Sequence, residues 1–66
     1  EDCESAADWY QQAANAGDAP SMMSLASMYI VGKGVEKNQQ MALDLVSKAA
    51  QHGHPDALEI LRSRAE

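Results

Sequence analysis

Sixty-six residues with a formal net charge of −5 make at most one small domain, near the size at which a single core only just offsets chain entropy. Apolar content of 45%, supplied mostly by Ala, Leu and Met with no Phe, suits close-packed helices and disfavours a β fold. The single Cys3 excludes an internal disulfide and a thiolate metal cluster, no apolar run approaches membrane-spanning length, and the acidic balance argues against nucleic acid or an anionic bilayer as the main partner.

The first predicted helix covers 3–16. Asp2 is a good N-cap, and Ala6, Trp9, Tyr10, Ala13 and Ala14 follow at i, i+3, i+4, i+7 and i+8, one apolar stripe at helical spacing. Trp9 and Tyr10 carry the largest apolar areas and sit on that stripe, so core packing is expected of both. Cys3 shares the face of Ala6 and Tyr10 and is expected to pack as a small apolar group. Glu1, Asp2, Glu4, Asp8 and Asp18 hold the whole charge excess, since no Lys or Arg occurs before Lys33.

Gly17 then supplies the left-handed C′ position, and Asp18 caps a second helix over 19–31. Ser21, Met22, Leu25, Ala26 and Tyr29 lie on one side of it, with Met28 at the margin. Gly32-Lys33-Gly34-Val35 stops the helix and turns the chain, with Val35 placed to tuck back as an apolar plug. Asn38 caps the third helix, 39–52, whose stripe is Ala42, Leu45, Val46, Ala49 and Ala50. Gly53 ends it, His54 is the next N-cap, and Pro55 at N1 opens a fourth helix over 55–65. Turns this short make successive helices antiparallel.

A shift of 36 positions lays residues 1–30 on 37–66, matching Ala6 to Ala42, Asp8 to Asp44, Gly17 to Gly53, Leu25 to Leu61 and Ser27 to Ser63. The chain therefore divides into 1–36 and 37–66, and the period is that of a helical solenoid. About three such units are usually needed for a stable stack, so a piece of a longer array, or completion by a partner or by self-association, is expected.

The string Leu25-Ala26-x-x-Tyr29-x-x-Gly32-x-Gly34-Val35-x-x-Asn38-x-x-x-Ala42, followed by Lys48-Ala49-Ala50-x-x-Gly53-His54-x-x-Ala57, resembles the Sel1-like repeat, a relative of the tetratricopeptide repeats. The resemblance covers essentially the whole chain. It implies an all-α, α/α solenoid fragment of four antiparallel helices in the order B-A-B-A. Asn38, Ala26 and Ser21 depart from the family's usual Asp, Gly and Ala, and Met41, Leu43 and Leu45 replace its common aromatic, which Trp9-Tyr10 keeps. On the last helix Arg62 falls on Ala26 and Ala65 on Tyr29, which predicts that Pro55–Glu66 is a polar terminal cap.

Nothing here makes an enzyme: no Ser-x-x-Lys, Gly-x-Ser-x-Gly or His-Glu-x-x-His occurs. His52-Gly53-His54 with Asp56 is read as helix capping in preference to a metal site, and no cofactor is expected. Met23, Ser27 and Ile30 form a line on the side of the second helix away from the stripe, and Glu59, Ser63 and Glu66 are its equivalents on the last. An apolar floor beside acidic residues would accept a basic, amphipathic protein segment. The resulting expectation is a non-catalytic scaffold or adaptor binding a protein or peptide through the concave face of its A helices. An inhibitory or immunity-type module blocking a toxin or enzyme, and an envelope or polarity-factor domain contacting cell-wall or assembly partners, are the alternatives. Periplasmic or exported and cytoplasmic locations both stay open.

Overall fold

The computed structural model describes residues 3–64 as four helices: α1 (Cys3–Asn15), α2 (Ala19–Val31), α3 (Gln39–Gln51) and α4 (Pro55–Arg64). Each helix packs on the next, and α2 with α3 forms the most extensive pair. The arrangement measures 36 × 22 × 15 Å, elongated along the stacking direction as expected of an α/α solenoid. The Asp2 cap and the places assigned to Glu1, Ala65 and Glu66 lie outside the described residues.

Both tight turns are built the same way. After α1 the Asp18 N–H donates to the Ala13 carbonyl at 3.0 Å and the Gly17 N–H to Ala14 at 3.0 Å. After α3 the His54 N–H donates to Ala49 at 3.0 Å and the Gly53 N–H to Ala50 at 2.9 Å. These are paired bonds of the Schellman type, which need a left-handed residue at C′, and Gly17 and Gly53 supply it with φ of 94° and 84°.

The caps differ in chemistry between the two units. Asp18 accepts from the Ser21 N–H at 3.1 Å and also from the Ser21 hydroxyl, which gives that buried hydroxyl its partner. In the second unit His54 Nδ1 accepts from the Asp56 N–H at 3.2 Å, and the residue matching Ser21 is Ala57, fully buried with no hydroxyl to satisfy. One imidazole nitrogen of His54 is thus engaged at the helix start, in line with its expected role as a cap. Asn38 accepts from the Met41 N–H at 3.2 Å.

Of the ten buried apolar residues among those described, six are alanine (Ala7, Ala14, Ala26, Ala42, Ala49 and Ala57), so the helices approach closely. Met22, Leu25, Leu45 and Val46 supply the larger volume, and Tyr10, Met28, Tyr29, Val35 and Leu61 pack around them half-buried. The loop between α2 and α3 folds back on this core as expected. The Asn38 N–H donates to the Tyr29 carbonyl at 3.0 Å, and Val35 covers the edge.

Trp9 is not in the core. It is 67% exposed, against the expectation from its stripe. The buried side of α1 is Ala7 and Ala14, with Ala6, Tyr10 and Ala13 half-buried beside it and Trp9 turned away. The reason is topological: among the described residues α1 has α2 as its packing neighbour, whereas the equivalent α3 lies between α2 and α4 and buries both flanks. Periodicity defines an apolar face but not which part of it has something to meet.

Candidate functional site

The side of the stack formed by α2 and α4 carries two adjoining clefts. One, of about 570 Å³ and wide open, is lined by Met23 from α2 and by Asp56, Glu59, Ile60 and Ser63 from α4. The other, of about 280 Å³, is lined by Ile30, Gln39, Ala42, Leu43, Val46 and Ile60, at the meeting of α2, α3 and α4. Ile60 belongs to both and joins them.

Three of the residues expected to form an interaction line, Met23, Glu59 and Ser63, come together in the first cleft. Ile30, 48% exposed, lies in the second. Ser27 is exposed and lines neither. Met23 is half-buried and packs against the core while forming the cleft wall, so it serves the fold as well as the surface.

Ile60 and Leu43 complete this surface and were not foreseen from the sequence. The 36-residue register sets Ile60 on Ser24, and Glu59 on Met23, so a search along one line of side chains passes beside it. Its signal was weak: an isolated large apolar residue in a polar helix, and such residues are ordinary on protein surfaces. In the structure Ile60 is 37% exposed and sits over Leu43 and Val46.

The rim is acidic on one side. Asp56 and Glu59 are both exposed, and among the described residues neither cleft has a lysine or arginine in its lining. Arg62 instead meets Pro55, Leu58 and Glu59 on the outer flank of α4. An apolar floor with carboxylates at its edge favours an apolar anchor flanked by cations over an acidic ligand.

Residues 1–18 and 19–54 match the model of the Sel1 repeat, the second match running from α2 through the loop and α3. An uncharacterized protein of Neisseria meningitidis serogroup B is 40% identical over 56 residues, which is 85% of this chain and 12% of that protein. The crystal structure of a Sel1 repeat protein from Oxalobacter formigenes superposes with a TM-score of 0.84 at 34% identity, covering 94% of this chain and 18% of the other. The chain thus spans less than a fifth of the length of these relatives.

Proposed function

The chain belongs to the Sel1 repeat family, whose members are generally protein-protein interaction modules without catalysis, and from this premise we propose that it is a non-catalytic scaffold or adaptor binding through its α2/α4 face. One observation carries this reading: Ile60 connects two clefts into a groove floored by Met23, Ile30, Leu43 and Ile60, with Asp56 and Glu59 at one edge. The partner is a protein segment with a large apolar side chain for the Ile30–Leu43–Ile60 cleft and a lysine or arginine near Asp56 and Glu59. The apolar anchor supplies affinity, and the carboxylates speed the encounter and set orientation.

The test is capture of the partner by the full-length protein carrying Ile30→Glu and Ile60→Glu together. Both side chains are substantially exposed, at 48% and 37%, so the melting temperature is expected to hold. Capture is expected to weaken by about 30-fold, the scale of a hot-spot loss of roughly 2 kcal/mol. Undiminished capture by a folded double variant contradicts the reading. Raising salt is expected to slow association, because exposed charge pairs are screened over about 10 Å at 0.1 M.

A further inference from the structure

A third cleft, of about 300 Å³, lies where α1 meets α2 and the returning loop, and it shares no lining residue with the α2/α4 groove. Its floor is apolar: Ala7 of α1, Leu25 and Tyr29 of α2, and Val35 of the loop. Its wall is a single stripe of α1, with Glu4, Asp8 and Gln11 at i, i+4 and i+7. That wall is built from acceptors. A carboxylate only accepts, and Gln11 spends its Nε2 on Asn15 Oδ1 at 3.1 Å, which leaves its Oε1 to accept. Among the described residues no lysine or arginine lines the cleft; Lys33, next to the lining Gly34, is exposed and outside it.

The 36-residue register shows that this composition is peculiar to the first unit. Glu4, Ala7 and Asp8 fall on Gln40, Leu43 and Asp44. In α3, Gln40 Nε2 donates to Asp44 Oδ1 at 3.4 Å, so that carboxylate has a partner on its own helix. Glu4 cannot serve Asp8 in this way, because two carboxylates one turn apart repel and mildly destabilise the helix that carries them. Ala7 in turn leaves open the volume that a leucine such as Leu43 would fill. Repelling charge beside an apolar hollow therefore stands where the second unit has a hydrogen-bonded pair and a larger side chain.

We infer that this cleft receives an arginine side chain of a protein partner, with its guanidinium against Asp8, Glu4 and Gln11 Oε1 and its aliphatic stem on Leu25, Tyr29 and Val35. A guanidinium offers five N–H donors in a planar fork and is weakly hydrated, so it suits an all-acceptor wall beside hydrocarbon better than the strongly hydrated lysine ammonium does. Tyr29 adds an aromatic ring, a favourable neighbour for that plane. A hard metal ion fits less well, since it takes about six or more oxygens and no group of three metal-ligating side chains occurs among the described residues. The surrounding charge aids the encounter, because the chain carries only acidic charges before Lys33. Since the two sites share no residue, either can fail without the other.

The probe is N-acetyl-arginine amide, titrated into the chain and followed by NMR at the Leu25 and Val35 methyls and the Tyr29 ring. Saturable shifts are expected at all three, weaker with the lysine analogue and absent with N-acetyl-citrulline amide, which keeps the shape and loses the charge. Asp8→Asn is expected to weaken binding by roughly tenfold, the scale of one charge-assisted hydrogen bond. Its melting temperature is expected to hold, because the substitution removes a like-charge pair. Asp56→Asn, at the edge of the other groove, is expected to leave the titration unchanged. Should Asp8→Asn fail to fold, Glu4→Gln gives the second reading: it copies the Gln40–Asp44 pair, and it is expected to raise the melting temperature while weakening arginine binding. No saturable shift, an equal response to citrulline, or unchanged arginine affinity in the folded variant overturns the inference. So do shifts at Met23 and Ile60 in place of Leu25 and Tyr29, which would assign the arginine to the α2/α4 groove.

Discussion

Leu25→Ala is expected to leave most of the chain unfolded at 37 °C. Leu25 is 1% exposed and is the largest side chain among those fully buried. It lies where Ala7 of α1, Tyr29 of α2 and Val35 of the returning loop converge, so truncating it opens a void against three separate segments. Losses for such a change run to about 3–5 kcal/mol, the transfer term plus the cavity left behind. A core of this size supplies only about 3–5 kcal/mol in total, so nothing is left over. The register equivalent Leu61 is half-buried on α4, and Leu61→Ala is expected to cost about 1–2 kcal/mol. Urea titrations of both variants followed by circular dichroism check the order; equal losses would mean that Leu25 is not the centre of the core.

Gly34→Ala is expected to be nearly as damaging, for a reason that has nothing to do with apolar area. Gly34 has φ of 80°, where an L-residue costs roughly 1–2 kcal/mol. An added Cβ would also stand 2.7 Å from the carbonyl carbon of Cys3 and 2.9 Å from its Cβ. Those atoms belong to the first turn of α1 and cannot swing aside as a flexible side chain would. Overpacking of this kind adds about 1–3 kcal/mol. Gly53 supplies the control: its φ is 84°, and a Cβ there meets nothing within 4 Å. Gly53→Ala is therefore expected to show the backbone term alone. The difference between the two melting temperatures isolates the contact of loop with α1, and equal shifts would contradict it.

These two positions illustrate how far the sequence could be read. The four helices were legible because each boundary is marked by local chemistry: Gly17 and Gly53 at left-handed turns, Asp18 and Asn38 accepting from N–H groups three residues on. The α2–α3 loop was legible as a turn, and Val35 as its plug. That Gly34 lies against Cys3 was not, because the reason for the glycine is thirty-one positions away in sequence and arises only once α1 is in place. Trp9 went wrong in the same sense. Its stripe is genuine, but burial depends on a neighbour, and among the described residues α1 packs on α2 alone as a helix, which leaves Trp9 exposed. For the groove, a line through Met23 and Ile30 runs along the side of the stack where the two clefts lie, while Ile60, one residue off the repeat-equivalent line, became visible only through the packing of α4 on α3.

The central claim is that partners are held on the α2/α4 face, and the most direct measurement is a chemical-shift map of the chain with its bound partner, read at methyl groups. The largest changes are predicted at Met23, Ile30, Leu43 and Ile60. The opposite outcome is a footprint on the cleft between α1 and α3, at Met41 and Leu45, with the Ile30 and Ile60 methyls unmoved. That result would place recognition on the other side of the stack and contradict the assignment.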